Sequence, residues 1–250
     1  MLEPCICSDP ATLGREAAKA GADAIRTAIA TRGEATIVLA TGASQFETLK
    51  VLTSLPAIDW DRVTAFHLDE YIGLSVDHPA SFRGYLRQRF MARLGGHPRL
   101  HEIDGDAADA ETEADRLSAL IGDRTVDLCF AGLGENCHLA FNDPPANFTT
   151  GRAFLVVALD EACRLQQLGE GWFATLDDVP RRAITMSVPQ IMRSELIVLS
   201  VPDARKARAV RDAVEGPVTP LHPGSALQRH PATRLFIDPP AGSLLRGRQT

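Results

Sequence analysis

His138 stands in the segment Phe130-Ala131-Gly132-Leu133-Gly134-Glu135-Asn136-Cys137-His138-Leu139-Ala140-Phe141-Asn142-Asp143, the stretch of the chain that says most about function. An imidazole exchanges protons near neutral pH, and a carboxylate beside it raises its basicity; Asp143 could supply one. Glu135 is a second acid in the same stretch, whereas Asn136 offers hydrogen bonds only. Gly132 and Gly134 allow a turn that presses main chain against a ligand. The plain alternative is a strand-to-loop turn with a structural histidine, because a short Gly-rich motif is weak evidence. Cys137 reads either as a reactive thiol or as a small buried residue.

Three further groups carry polar chemistry. Phe66-His67-Leu68-Asp69-Glu70-Tyr71 places two acids side by side at a strand end, where they point in different directions. One could face a pocket and act as a general base while the other orients a neighbour. A loop acid paired with an arginine is the alternative. Thr41-Gly42-Ala43-Ser44 precedes a helix, and backbone N–H groups with hydroxyls suit an anion such as phosphate. It lacks the lysine of a P-loop and the spacing of a dinucleotide fingerprint, and a simple cap by Ser44 also fits. Lys206, in Asp203-Ala204-Arg205-Lys206-Ala207, either reaches a phosphate or lies on a solvated helix face.

The elements that must position these groups alternate between strand and helix. Helical spacing runs over Ala11–Thr31, from about Ser44 through Leu55, and over Ser81–Arg93, Asp109–Ile121, Pro189–Arg193 and Ala204–Glu215. Short apolar runs at Ala35–Ala40, Val63–Leu68, Val126–Ala131, Ala183–Val188, Leu196–Val201 and Leu235–Ile237 fit buried parallel strands. The residues around Cys5 and Cys7 read as one more strand. This order predicts an α/β fold, doubly wound, with a mainly parallel sheet and helices on both faces. In such a sheet the strand ends share one rim, so distant residues converge there. Periodicity is poor over 146–182, which reads as a mobile loop.

Composition narrows the partners. The chain has 250 residues, which suits one large domain or two small ones. A net charge of −6, with scattered arginines, argues against a general nucleic-acid binder. No apolar run is long enough to span a membrane, and no secretory leader is evident. Five cysteines without metal-type spacing favour a reducing, cytoplasmic setting and no structural zinc.

From Ala35 to Asp238 the chain resembles the glucosamine-6-phosphate deaminase (isomerase) family, within a superfamily that also holds 6-phosphogluconolactonases. The resemblance rests on Thr41-Gly42-Ala43-Ser44, on Leu68–Leu74 with His78-Pro79-Ala80-Ser81, on Gly132–Pro144, and on Ala213-Val214-Glu215-Gly216. It implies one Rossmann-like domain of the deaminase/lactonase type across 1–250. It also implies conversion of glucosamine 6-phosphate to fructose 6-phosphate and ammonia, without redox cofactor or metal. By resemblance, Asp69 is the base shuttling a proton between C2 and C1, and His138 assists ring opening. Thr41, Gly42, Ala43, Ser44 and Lys206 hold the phosphate. The partner is then a small sugar phosphate, and the protein is a possible homo-oligomer.

Departures from the family pattern fall in the same loop. Asn136 stands where the family has Asp, Cys137 where it has Gly, and Asp143 where it has Glu. Glu135 is a substitute for the missing charge, shifted by one residue. If that charge limits the rate, Asn136→Asp should raise turnover. Gly and Glu occupy the region of the family's second phosphate arginine. The competing readings are a lactonase using His138 to activate water, a binding protein that senses the sugar phosphate, and the same fold acting on another sugar.

Overall fold

The computed structural model describes residues 2–246, so Met1 and residues 247–250 of the expected 1–250 domain lie outside the described residues. Among the described residues, ten strands form two sheets. β1 (Pro4–Ile6), β2 (Ala35–Leu39), β3 (Val63–His67), β5 (Arg99–His101), β6 (Leu128–Ala131), β9 (Ile197–Val201) and β10 (Thr233–Ile237) build the larger one. Its order is β1-β10-β9-β6-β2-β3-β5, and every pairing is parallel. Strands buried on both faces are written as continuous apolar runs, and β2, β6 and β9 are buried throughout.

Alternate side chains of each strand serve opposite faces. Ile37, Leu39, Ala65 and Phe130 pack under α1 (Pro10–Arg32), α2 (Phe46–Leu52) and α3 (Phe82–Arg89). Val38, Phe66, Cys129 and Leu199 face α4 (Ala110–Ile121) and the later α7 (Ala207–Glu215). The expected doubly wound architecture is therefore present. Asp9 starts α1 by accepting from Thr12 N at 2.8 Å, and Gly33 ends it in the left-handed conformation, φ 82°.

The second sheet corrects the sequence reading. β4 (Asp69–Tyr71), β8 (Arg182–Met186) and β7 (Phe154–Ala158) are antiparallel, in the order β4-β8-β7. The run expected as a strand through Val188 stops at Met186, because Ser187 caps the short α6 (Val188–Ile191). An apolar run reports burial and not the direction of pairing, so nothing local separated β8 from the parallel strands. Nor is the stretch 146–182 one long loop. It contains β7, the helix α5 (Glu161–Gly169) and a 3-10 turn at Leu176–Asp178. Arg164 and Gln167 are buried on α5, which masks its helical period in the sequence.

From β2 the chain winds outward to β3 and β5, then returns to the other side of β2 with β6, β9 and β10. The winding direction changes between β2 and β6. In open α/β sheets the crevice beyond such a switch is the ligand site.

Candidate active site

Four neighbouring strands, β9, β6, β2 and β3, end on a cavity of about 210 Å³. Their carboxyl ends deliver Pro202–Lys206, Gly132–His138, Ala40–Gln45 and Leu68–Asp69. Packing of the loops on one another sets the shape. A Cβ on Gly132 would stand 2.9 Å from Ser44 Oγ, so this close approach requires glycine. Gln45 Nε2 ties the two loops by donating to Ala131 O at 2.9 Å and to Ser44 Oγ at 3.0 Å.

Asp69 enters from β4. The chain leaves the parallel sheet at Leu68, whose N–H donates to Leu39 O at 3.1 Å while its carbonyl accepts from Met186 N at 2.8 Å. Asp69 then pairs in register with Thr185 of β8. The Thr185 hydroxyl accepts from Phe141 N at 3.1 Å, so one antiparallel pair positions both the acid and the histidine loop. The Asp69 carboxylate lines the cavity, is 7% exposed and takes no hydrogen bond among the described residues. Burial, reinforced by the charge of Glu70, pushes its pKa up to about 8.

Glu70 points the other way. It is fully buried and accepts from Tyr71 N, Ser81 Oγ, Phe82 N and Arg83 N at 2.7–3.2 Å. Its burial raises the pKa to about 7 against these four donors, which favour the ionised form. Glu70 thus anchors the start of α3 and leaves the cavity to Asp69.

His138 lines the cavity with its ring stacked over Gly134, where an added Cβ would lie 2.2 Å from the imidazole. Its Nδ1 is 3.0 Å from Asp143 Oδ1, a close contact approached off the N–H axis. Burial would raise the Asp143 pKa, but the adjoining His138 imidazole, helped by the Asp160 N–H and the Asn136 amide, prevails and holds it below the ordinary value. Asp143 stands behind the histidine, outside the cavity lining. Asn136 also lies behind it: Oδ1 accepts from His138 N at 3.1 Å, and Nδ2 donates to Asp143 Oδ1 at 3.2 Å and to Asp160 Oδ2 at 3.1 Å. Cys137 is buried at φ 68°, a left-handed position suited to glycine, and burial pushes its thiol up to about 12. It reads as a packed residue without nucleophilic character.

Glu135 does not stand beside His138. Its backbone N–H donates to Gln166 Oε1 at 2.8 Å, and its carboxylate lies 3.5 Å from Arg205 Nη1. The expected shift of the missing charge to this residue is corrected accordingly, because its side chain is turned to Arg205 on the turn before α7.

Gly42, Ala43, Ser44 and Lys206 also line the cavity. Residues Ala43–Gln45 form a 3-10 turn before α2, so the turn's leading N–H groups precede the helical ladder. Thr41 is buried with an unpartnered hydroxyl and does not line the cavity. Lys206 is 8% exposed, and its ammonium makes no ion pair or hydrogen bond among the described residues; burial lowers its pKa. An unpaired buried ammonium facing a cavity favours an anionic ligand there.

Several lining residues escaped the sequence reading. Gln166 and Gln167 come from α5, Glu170 from its C-terminal cap, and Arg205 from the turn before α7. Gln166 and Glu170 have one-turn helical spacing, which would have grouped them had α5 been recognised. Arg164 turns away, donating to the carbonyls of Val179 and Leu176. Arg205 is the guanidinium at the cavity, folded back on Asp203 at 3.0 Å. His138, Asp143 and Cys163 bring metal-capable atoms within 4.8 Å of one another. A cation there would have to displace the Cys163 proton, which burial holds strongly.

Residues 8–236 match the family model of glucosamine-6-phosphate isomerases/6-phosphogluconolactonase. The chain belongs to this family. It is 35% identical over 236 residues to a glucosamine-6-phosphate deaminase of Pseudarthrobacter chlorophenolicus, covering 93% of this chain and 90% of that one. It is 34% identical over 245 residues to glucosamine-6-phosphate deaminase 1 of Bacillus subtilis, covering 95% and 97%. Among solved structures, a monomeric glucosamine-6-phosphate deaminase superposes with a TM-score of 0.88 at 33% identity, covering 97% of this chain and all of that one. A 6-phosphogluconolactonase from Shewanella baltica shares the fold, with a TM-score of 0.80 at 20% identity over 95% and 98% of the two chains. The family's α/β architecture is thus the one described above, and no helix among the described residues is long and apolar enough to cross a membrane.

Proposed function

We propose that this protein isomerises and deaminates an amino-sugar phosphate, converting glucosamine 6-phosphate and water to fructose 6-phosphate and ammonia. The observation that carries this reading is the cavity itself. An unpartnered carboxylate, Asp69, faces the same space as the His138 imidazole and the unpaired Lys206 ammonium. Lys206 and the N–H groups of Gly42, Ala43 and Ser44 bind the phosphate.

His138 then takes the proton of the C1 hydroxyl and returns one to the ring oxygen, opening the pyranose. Asp143 holds the imidazolium as it forms. Asp69 removes the C2 proton of the open-chain aldehyde while O1 gains a proton given up by the C2 ammonium, which forms an enolamine; return of the proton from Asp69 to C1 then leaves an iminium at C2. Water adds to that carbon, and ammonia leaves. A carboxyl with a pKa near 8 is largely protonated in the empty cavity at neutral pH. An ammonium on C2 arriving beside it favours the ionised base. Five free thiols suit work in a reducing cytoplasm.

The test is ammonia release from glucosamine 6-phosphate by the purified protein, with fructose 6-phosphate as co-product. Hydrolysis of a phosphorylated sugar lactone without ammonia release would replace this reading with that of a hydrolase. Thermal stabilisation by the sugar phosphate without turnover would replace it with that of a sensor.

A further inference from the structure

Asp160 precedes α5 and splits its two carboxylate oxygens between two tasks. Oδ1 accepts from Cys163 N at 2.6 Å and caps the helix. Oδ2 accepts from Asn136 Nδ2 at 3.1 Å. The Asp160 backbone N–H donates to Asp143 Oδ2 at 3.0 Å. Asn136 completes the ring by donating to Asp143 Oδ1 at 3.2 Å. The two amide hydrogens of Asn136 therefore serve two carboxylates, while its oxygen takes the His138 N–H at 3.1 Å. That oxygen contact also fixes the amide's orientation, since a flipped amide would set its oxygen against both acids.

A helix cap uses one oxygen, and an asparagine performs that role as well as an aspartate. The second contact, back to the histidine loop, is left unexplained by capping. An acid at 136 would bring three carboxylates together, with no amide donor between them. An amide at 136 and an acid at 160 are thus a matched pair: the loop lacks a charge that α5 provides. We propose that Asp160 is a positioning residue for His138, holding Asp143 against the imidazole through Asn136 and its own N–H and supplying the second negative charge of the histidine's acid set. The catalytic part of this proposal rests on the deaminase reading above; the electrostatic part does not.

Asp160→Asn separates the two tasks, because it keeps the cap and removes the charge. It also sets two amide donors face to face at 136 and 160. We expect kcat to fall about ten- to a hundredfold with KM little changed. The inhibition constant of the open-chain 6-phospho-2-amino-alditol, which needs no ring opening, should stay within about twofold of wild type. Asn136→Asp alone should also lower kcat. The exchange Asn136→Asp with Asp160→Asn should recover most of the rate, as no purely structural role predicts.

A second measurement is independent of turnover. The titratable and charged groups around His138 are Asp143 from its own loop, Cys163 from α5, and Asp69, Glu170, Asp203, Arg205 and Lys206 on the same cavity, and Asp160→Asn changes none of them. The imidazole titration of His138, followed by NMR, should move to lower pH in this variant. An unmoved titration, or an exchange variant no better than the two single effects combined, would overturn the proposal. Wild-type protein that releases no ammonia would instead overturn the deaminase reading, with the titration still deciding the role of Asp160.

Discussion

Asp69 and Glu70 are adjacent on β4, and their carboxylates face opposite sides of it: one lies bare in the cavity, the other lies under α3 with four hydrogen-bond donors. Strand alternation produces this division of labour. Two acids of nearly identical chemistry thereby acquire different roles, one free to exchange a proton and one committed to structure.

Asp69→Asn should abolish ammonia release, lowering kcat by about a thousandfold or more, while substrate still binds. It should also stabilise the fold in a pH-dependent way. The Asp69 carboxyl is raised from an ordinary 3.8 to about 8, so between these pH values the folded state holds a proton that the unfolded state has released. That contribution is complete below about pH 4 and is lost as pH rises to about 8. The melting temperature of the variant should therefore exceed that of the wild type at pH 8 by more than at pH 5. Calorimetry at both values checks the sign.

The rate should carry the same signature. Because kcat/KM reports the free protein, it should climb with pH as Asp69 ionises, with an acidic limb centred near 8. A profile flat from pH 6 to 9 would remove Asp69 from the role of base.

Lys206→Met should separate binding from stability. The ammonium is buried and unpaired, so its replacement by an apolar side chain of similar length relieves a desolvation cost. The melting temperature should hold or rise. KM for the phosphorylated sugar should increase by about a hundredfold, with little change for an unphosphorylated amino sugar. Comparison of the two substrates in one assay checks this.

Gly134→Ala should inactivate the protein without unfolding it. The new methyl group would lie 2.2 Å from the His138 ring, and the imidazole must move. Loss of turnover with substrate affinity retained within about tenfold is the expected result, because the phosphate end of the cavity is untouched. Circular dichroism separates this outcome from misfolding.

Much of the site was legible in the sequence because each part lies just after an apolar run. Asp69, His138, Ser44 and Lys206 could be named before any coordinates, since parallel strands bring their carboxyl ends to one rim whatever the chain distance between them. The signs of two local arguments were not legible. Glu135 lies three residues before the histidine in sequence yet faces Arg205, because side-chain direction in a tight turn depends on dihedrals that residue type leaves open. Asn136→Asp, expected from the motif to raise turnover, is expected from the structure to lower it, because Asp160 already stands at 3.1 Å.

The sequence by itself determined the alternating α/β pattern, the family and the residues able to do the chemistry. These follow from periodicity and side-chain type, which are local properties. The tertiary structure alone decided which acids lie near His138, that β4, β7 and β8 form a separate antiparallel sheet, and that α5 with its two caps brings Gln166 and Glu170 to the cavity and the Asp160 carboxylate to Asn136. The physical reason is distance along the chain: Asn136 and Asp160 are 24 residues apart, and only packing brings an amide within hydrogen-bonding reach of an acid across such a gap.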